Sequence, residues 1–165
     1  MSITVRTVSG KADESRFIAL QWKFYENDPN WAPPLKMDRR KLLNTEKNPF
    51  FKHGNIELFI AERDGEPVGR IAAIVNRRHN EIHDDKTGFF GFFECIDHQE
   101  TANALFDAAA HWLRGKGMDT MRGPLNPSVN DELGMLVEGF DISVVFIWSF
   151  FFFRHSLIIE EFSFK

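Results

Sequence analysis

The run from residue 57 to residue 117 constrains the fold more than any other part of the chain. It contains three short segments rich in β-branched and aromatic residues, followed by a segment with helical periodicity. An Asp-Gly pair, Asp64-Gly65, separates the first two segments, and this dipeptide is the strongest short-range signal for a β-hairpin. The sequence therefore predicts the order strand, turn, strand, turn, strand and helix.

The limits of these four elements follow from the same patterns. The first two strands should cover residues 56–61 and residues 67 to about 75. The third, at residues 89–96, is apolar at both parities, so both of its faces are expected to be buried. The helix after it has apolar residues at intervals of three and four and should end at Gly115 and Gly117. Its apolar positions are Ala102, Leu105, Phe106, Ala109, Trp112 and Leu113.

The residues before this run predict one strand and two helices. Residues 3–8 alternate between apolar and polar side chains, as a half-buried strand does. A helix capped by Asp13 or Ser15 should then extend to about Tyr25. A short basic helix is expected at residues 36–43, after a loop rich in Asn and Pro.

Length and composition indicate one globular domain. The 165 residues include 43% hydrophobic residues, which is enough to build a sizeable core. The net charge of −4 gives no general electrostatic reason to bind nucleic acid or an anionic membrane, so neither partner is expected. One cysteine excludes an internal disulfide framework, and the sequence shows no signal peptide. A cytoplasmic location is therefore expected.

The connection at residues 76–85 contains His79 and His83, four residues apart. On a helix this spacing would place both imidazoles on one face, as in some zinc sites. The segment is short and polar, however, and the sequence supplies no second pair of ligands. A solvated turn is therefore favoured, and no metal site is expected.

Two stretches, together with the order of elements, resemble the GNAT type of N-acetyltransferase. They are residues 88–95, Gly-Phe-Phe-Gly-Phe-Phe-Glu-Cys, and residues 122–128, Arg-Gly-Pro-Leu-Asn-Pro-Ser. The chain is similar in particular to a bacterial group of GNAT-like proteins whose members are usually longer. The resemblance implies an α/β (α+β) fold, with a mixed, mostly antiparallel sheet flanked by helices. It also implies acyl transfer from acetyl-CoA, or another acyl-CoA, to an unknown amine.

In GNAT-type enzymes, a glycine-rich loop between the fourth strand and its helix holds the pyrophosphate of the acyl-CoA. The corresponding residues here include no glycine. Asp97 and Glu100 are placed instead to form a capping box at the start of the helix, and the other candidate cap is Thr101. The residues that the resemblance assigns to the cofactor are Cys95, Ile96, Asp97, His98, Thr101, Ala102 and Asn103.

Glu94 is the candidate catalytic residue. A carboxylate inside an apolar strand is desolvated, which raises its pKa toward the range of a general base. GNAT-type enzymes often use a Glu on this strand to take a proton, through water, from the acceptor amine. The other interpretations of Glu94 are a buried ion pair with an arginine such as Arg70 and a strand end already in water. Cys95 has the opposite parity and is expected to be a small core residue.

A polar loop and one earlier tryptophan are the candidate contacts to a small-molecule substrate. A fifth strand is expected at residues 118–122, and the loop after it is rich in turn formers and hydrogen-bonding side chains. That loop either lines a pocket or simply forms Asx turns. Trp31 lies in the region that covers the acceptor in GNAT-type folds, or it packs against its own loop. The candidate contacts are Trp31, Arg122, Asn126, Ser128, Asn130, Asp131 and Glu132.

The whole chain, residues 1–165, is expected to be one GNAT-like domain with a core at residues 1–122, a polar loop at 123–141 and an atypical apolar tail at 142–165. Residues 142–153 are too short for a membrane helix and are expected to be a buried strand, followed by a helix at 154–165. The tail lacks the Asn-Pro turn and the tyrosine that the resemblance places there, since Tyr25 is the only tyrosine. The general acid of the family would then be absent.

Two other functions remain open beside acyl transfer. One is a non-catalytic GNAT-like domain that binds a small molecule or acts as a scaffold in a larger protein, and the missing glycines and tyrosine favour it. The other is a self-associating structural module. An incomplete sheet leaves an edge and apolar surface that predict a homo-oligomer or a missing C-terminal domain.

Overall fold

The computed structural model describes residues 2–127, 131–136, 157–158 and 160–164. Four α-helices and one 3₁₀ turn, Pro49–Lys52, lie in this part of the chain. The helices are α1 (Gly10–Phe24), α2 (Lys36–Leu42), α3 (Arg77–His83) and α4 (Gln99–Gly115). The strands are β1 (Ile3–Thr7), β2 (Gly54–Arg63), β3 (Glu66–Asn76), β4 (Thr87–Cys95), β5 (Thr120–Gly123), β6 (Leu125–Asn126), β7 (Glu132–Leu133), β8 (Met135–Leu136), β9 (Leu157–Ile158) and β10 (Glu160–Ser163).

A six-stranded mixed sheet lies at the centre of the described part of the chain, with the strand order β1-β2-β3-β4-β5-β10. Strands β4 and β5 are parallel, and the other neighbouring pairs of this sheet are antiparallel. The parallel pair is joined by α4, which is the crossover that such a pair requires. The predicted mixed, mostly antiparallel sheet with flanking helices is therefore confirmed.

The sheet buries a different apolar cluster on each face. On one face, Leu105, Ala109 and Leu113 of α4 pack in a cluster that includes Phe90 and Met121. On the other face, the cluster is built by α1, the 3₁₀ turn and the sheet; its members include Phe17, Ile18, Leu20, Phe50, Ile60, Ile74, Phe89 and Phe92. Burial of β4 on both faces, expected from its apolar residues at both parities, follows from this arrangement.

The β2–β3 hairpin forms where the Asp-Gly pair predicts it. Arg63 pairs with Glu66, and the two residues between them, Asp64 and Gly65, have φ values of 54° and 83°. Positive φ at both central positions is the requirement of the tight turn that matches the twist of a hairpin.

Two helical predictions need correction. Helix α1 begins at Gly10, so Asp13 lies inside its first turn, where it accepts the N–H of Ser9 at 3.0 Å.

The solvated turn predicted around His79 is a short helix, α3. The side chain of Asn76 accepts the N–H of His79 at 3.1 Å and so caps its start, while Asp84 ends it in a left-handed conformation.

The described part of the tail forms strands where the sequence predicted a helix. Strand β10 pairs antiparallel with β5, and the ring of Phe162 lies 5.6 Å from that of Phe106 on α4. From residue 161 to residue 164, Glu161 and Ser163 alternate with Phe162 and Phe164, a pattern that suits an outer strand better than a helix. The strand predicted at residues 142–153 lies outside the described residues. Among the described helices, none is long and apolar enough to span a membrane.

Candidate functional site

A small cavity of about 190 Å³ lies where the end of β4 meets α1, α2, β3 and the loop after β5. Two carboxylates and two guanidinium groups contribute to its wall, so its formal charges balance. The cavity is lined by Gln21, Tyr25, Arg39, Arg70, Phe92, Phe93, Glu94, Pro124, Asn126, Glu132 and Gly134.

A β-bulge in β4 gives the cavity its position. Arg70 pairs with Glu94 and Ala72 pairs with Gly91, so the single residue between them on β3 faces both Phe92 and Phe93. Phe92 takes the extra place with a φ of 50°. Because a bulge adds one residue, it shifts the alternation of side chains along the strand. Glu94 consequently joins the α1 side of the sheet, while Cys95 packs on the α4 side.

The polar loop after β5 is fixed to this bulge. Strands β4 and β5 pair only as far as Phe89 and Arg122, and Asn126 then approaches β4. Its Oδ1 accepts the N–H of Phe92 at 2.7 Å. Gly91 permits this approach, since a Cβ there would lie 2.2 Å from the carbonyl oxygen of Leu125. The loop therefore forms one wall of the cavity.

Glu94 and Arg70 form a buried ion pair on the floor of the cavity. The Nε and Nη2 atoms of Arg70 both contact Oε2 of Glu94 at 2.8 Å. Only 2% of the Arg70 side chain and 12% of the Glu94 side chain are exposed. Burial raises the pKa of Glu94 above its usual value, and the neighbouring Arg70 opposes this rise. Since Arg70 uses only Oε2, the other carboxylate oxygen is not engaged by it.

A second chain of polar groups links α2 to the bulge. Arg39 contacts Oε1 of Glu132, while Nδ2 of Asn126 donates to Oε2 of the same carboxylate at 2.9 Å. Both oxygens of Glu132 are therefore engaged, and Asn126 continues the chain to the N–H of Phe92. Glu132 is thus held at both oxygens, whereas Arg70 contacts only one oxygen of Glu94.

Two polar atoms of the cavity residues have no hydrogen-bond partner within the described residues. They are Oε1 of Gln21 on α1 and Nε of Arg39 on α2, and both are shielded from solvent. Arg39 as a whole is 8% exposed. An acceptor and a donor are therefore left unsatisfied beside this cavity. A buried polar atom without a partner costs roughly 1–3 kcal/mol.

Tyr25 is a cavity residue for which the sequence predicted no role at the site. It ends α1, and its ring stacks on Trp31 with 5.3 Å between ring centroids. Burial, and then the charge of Glu94, raise the pKa of Tyr25 to about 12. Trp31 also meets Trp22 edge-on at 5.8 Å. Trp31 thus packs against the ring of Tyr25 and is not among the residues that line the cavity.

The start of α4 does not have the arrangement predicted for it. The cap is His98, whose Nδ1 accepts the N–H of Thr101 at 3.3 Å and contacts its hydroxyl at 3.0 Å. Both predicted caps, Asp97 with Glu100 and Thr101, are therefore wrong. An imidazole can cap because its unprotonated nitrogen accepts a hydrogen bond as a carboxylate does.

The residues at the start of α4 do not fit the pyrophosphate of an acyl-CoA. The segment has no glycine, the N–H of Thr101 is already bound, and Asp97 and Glu100 would repel a phosphate. Cys95 and Ile96 pack in the α4-side cluster. Burial raises the pKa of the Cys95 thiol, and Asp97 adds to this effect. The residues for which a cofactor contact stays a prediction from the resemblance alone are Cys95, Ile96, Asp97, His98, Thr101, Ala102 and Asn103.

The predicted substrate contacts fall in different places. Asn126 and Glu132 line the cavity, whereas Asp131 lines a separate surface depression beside α2. Arg122 lies in β5 between its partners Phe89 and Glu161 and is not among the residues that line the cavity. Ser128 and Asn130 lie outside the described residues. The prediction for the polar loop thus named two of the cavity residues.

Three polar residues of the cavity wall were missed altogether: Gln21, Tyr25 and Arg39. The one signal for Arg39 was that a basic helix was predicted around it, and the signal for Tyr25 was its place at a predicted helix end. In residues 2–127, 131–136, 157–158 and 160–164, no group of three or more His, Cys, Asp or Glu residues is arranged to hold a metal ion.

No protein-family model matches the chain. Two curated bacterial proteins are similar to it. Protein YghO of Escherichia coli (strain K12) is 40% identical over 137 residues, which are 83% of this chain and 35% of that protein. Bacterial ceramide synthase of Caulobacter vibrioides (strain NA1000 / CB15N) is 41% identical over 140 residues, which are 84% of this chain and 36% of that protein. The chain therefore spans about a third of the length of these relatives.

Solved structures with the same architecture are GNAT proteins. A tandem GNAT protein from the clavulanic acid biosynthesis pathway superposes with a TM-score of 0.57 at 16% identity, covering 73% of this chain and 36% of that chain. An acetyltransferase of the GNAT family from Staphylococcus aureus Mu50 gives a TM-score of 0.54 at 13% identity, covering 99% of this chain and 100% of that chain. The chain therefore has the GNAT fold, as its sequence predicted.

Proposed function

We propose that this chain forms the acceptor side of an N-acyltransferase site, in which an acyl group passes from a thioester donor to an amine. The observation that carries this proposal is Glu94, a carboxylate 12% exposed at the cavity beside the β4 bulge. Its raised pKa brings it nearer the range in which a carboxylate accepts and releases protons at neutral pH.

In the proposed reaction the acceptor enters the cavity as an ammonium ion and is attracted to Glu94. Arg70 holds Oε2, so the oxygen that Arg70 does not use accepts the proton directly or through one water. The freed lone pair of the nitrogen then attacks the thioester carbonyl. The new bond is C–N and the bond that breaks is C–S. The sulfur leaves as a thiolate, which takes up the second proton that the nitrogen loses.

An acyl-CoA is the donor class that the GNAT fold implies, and its thioester would supply the activated acyl group. Residues 96–103 do not fit its pyrophosphate, so no step depends on that end of the donor. We therefore include in the proposal a donor that is recognised through its thioester and pantetheine-like arm and not through its phosphates.

The acceptor class is suggested by one relative. The protein from Caulobacter vibrioides is named a bacterial ceramide synthase, and a ceramide is the amide of a fatty acid with a long-chain amino alcohol. We extend this acceptor class to the present chain as part of the proposal. A cavity of about 190 Å³ holds the amino-alcohol head, and the alkyl chain would lie outside it.

The test is amide formation by the purified chain, followed by mass spectrometry. A long-chain amino alcohol is incubated with acetyl-CoA, or with S-acetyl-N-acetylcysteamine, a thioester that lacks the pyrophosphate. Glu94→Gln should slow amide formation by roughly 10²- to 10⁴-fold, the usual contribution of a positioned base. Glu81→Gln, an exposed change on α3, is the matched control and should have no effect. No amide from either donor with folded protein would refute acyl transfer.

A non-catalytic GNAT-like domain that binds a small amine is the second candidate. The acidic start of α4, with Asp97 and Glu100, favours it. Binding of the amino alcohol without any amide product would support this second function over the first.

A further inference from the structure

We propose that Gln21 and Arg39 form a subsite that recognises the hydroxyl group of the acceptor and so selects amino alcohols over plain amines. This inference rests on the proposed function, because it concerns the same cavity and the same acceptor. It concerns two residues that the steps at Glu94 do not use.

The first support is the pair of unsatisfied atoms. Within the described residues, Oε1 of Gln21 and Nε of Arg39 lack partners, although both side chains line the cavity. The Arg39 side chain is 9% exposed, and its contact with Glu132 accounts for a different nitrogen, Nη2. The Nε–H donor thus stays unused in a guanidinium that is already anchored.

The second support is the chemistry of these two atoms. A carbonyl oxygen accepts a hydrogen bond, and an Nε–H group donates one. A hydroxyl group does both, so one hydroxyl satisfies Gln21 and Arg39 together once small side-chain rotations turn the two atoms toward the cavity. A plain alkyl amine whose nitrogen is held at Glu94 has no second polar group to offer these atoms, so the occupied cavity would leave both unsatisfied.

The third support is the small size of the cavity, whose wall includes Glu94 as well as Gln21 and Arg39. Within about 190 Å³ the charged nitrogen at Glu94 and the hydroxyl at Gln21 and Arg39 must be close together. This favours a hydroxyl and an amine on neighbouring carbon atoms.

Two small amines test this subsite without any acyl donor. Alaninol and isopropylamine differ by a single hydroxyl group, and both are small enough for the cavity. Their dissociation constants are measured with the purified chain by NMR titration or calorimetry. The expected result is that alaninol binds at least about tenfold more tightly, a factor that corresponds to roughly 1.4 kcal/mol.

Gln21→Met keeps the length of the side chain and removes its amide, so the ratio of the two constants should fall to near one. Arg39→Lys keeps the charge that contacts Glu132 and removes the Nε–H donor, with the same expected loss of preference. Asn80→Leu is the matched control. Its Oδ1 is also buried without a partner in the described residues, but Asn80 lies on α3 and not in the cavity wall. Asn80→Leu should keep the tenfold preference.

Equal binding of the two amines by the unchanged chain, or no binding of either, would overturn the subsite. A preference that survives both Gln21→Met and Arg39→Lys would also overturn it. Because these titrations need no donor, they are independent of the amide assay. Amide formation with no hydroxyl preference would support acyl transfer and contradict only the subsite. A hydroxyl preference without amide formation would support the subsite and contradict acyl transfer.

Discussion

Arg70 and Glu94 contact each other across neighbouring strands, with two guanidinium nitrogens on one carboxylate oxygen, each at 2.8 Å. The third nitrogen of Arg70 donates to the carbonyl oxygen of Phe17 on α1 at 2.8 Å. The guanidinium therefore joins three elements: β3, β4 and α1. The ion pair at the candidate site therefore also connects α1 to the sheet.

Arg70→Ala should lower the free energy of unfolding by about 3–5 kcal/mol, because it leaves the carboxylate of Glu94 buried without its partner. Urea denaturation followed by circular dichroism measures this loss. Arg6→Ala is the comparison, since Arg6 pairs with Asp13 and Glu62 but is 35% exposed. Exposed pairs contribute about 1 kcal/mol or less. Equal losses for the two variants would contradict the role assigned to Arg70.

The raised pKa of Glu94 predicts an opposite pH dependence for activity and for stability. The base must be ionised, so acyl transfer should increase as pH rises through a pKa above the ordinary value of 4.5. The folded chain binds this proton more tightly than the unfolded chain does. Its contribution to stability is therefore complete below pH 4.5 and is lost as pH rises through the raised pKa.

Glu94→Gln is the variant that isolates both effects. It should remove the rising limb of the rate profile, and the difference in unfolding free energy between the two chains should change with pH over the same interval. Rate profiles and denaturation curves recorded across that interval measure the two effects. An unchanged rate profile in Glu94→Gln would assign the proton transfer to another group.

The elements that the sequence predicted well depend on local signals. The hairpin turn requires two residues with positive φ, and Asp64 and Gly65 supply them within four residues of chain. The helical stripe of α4 is likewise visible in the sequence alone. Glu94 was found because one charged residue in an apolar strand is conspicuous, and the ion pair with Arg70 was among its interpretations.

The rest of the site depends on register and on contacts between distant residues. The bulge at Phe92 becomes definite only when β3 and β4 are aligned; Gly91 beside it is a residue type that often accompanies a bulge, but it does not give the register. Arg39 meets Glu132 across 93 positions of sequence, which no periodicity encodes. The cap at His98 was missed because a histidine is a less usual cap than the aspartate beside it.

The acidic residues at the start of α4 are expected to weaken the binding of coenzyme A. The double change Asp97→Asn with Glu100→Gln should tighten the binding of coenzyme A several-fold. It removes two carboxylates that repel the phosphates at a helix N-terminus, where one favourably placed charge contributes about 0.3–1 kcal/mol. Calorimetry at low salt measures the change. Asp107→Asn, an exposed substitution later in the same helix, controls for net charge and should have little effect. If Asp107→Asn tightened binding as much, the effect would be general and not local.

Gly91 predicts a further link between the bulge and the polar loop. In Gly91→Ala the added Cβ would lie 2.2 Å from the carbonyl oxygen of Leu125 and 2.4 Å from Oδ1 of Asn126, so the loop must move away from β4. The expected loss of unfolding free energy is about 1–3 kcal/mol, as for other overpacked sites. Binding of the amine should weaken as well, because Asn126 would no longer hold the N–H of Phe92 or the carboxylate of Glu132.

Gly115→Ala is the matched control for this prediction. An added Cβ at Gly115, in the last turn of α4, meets no atom within 4 Å. Since alanine favours a helix by about 0.5–1 kcal/mol over glycine, this variant should be slightly more stable and should bind the amine unchanged. Denaturation and amine titration of the two variants give the comparison. If Gly91→Ala bound the amine as well as Gly115→Ala does, the polar loop would not be needed to form the acceptor cavity.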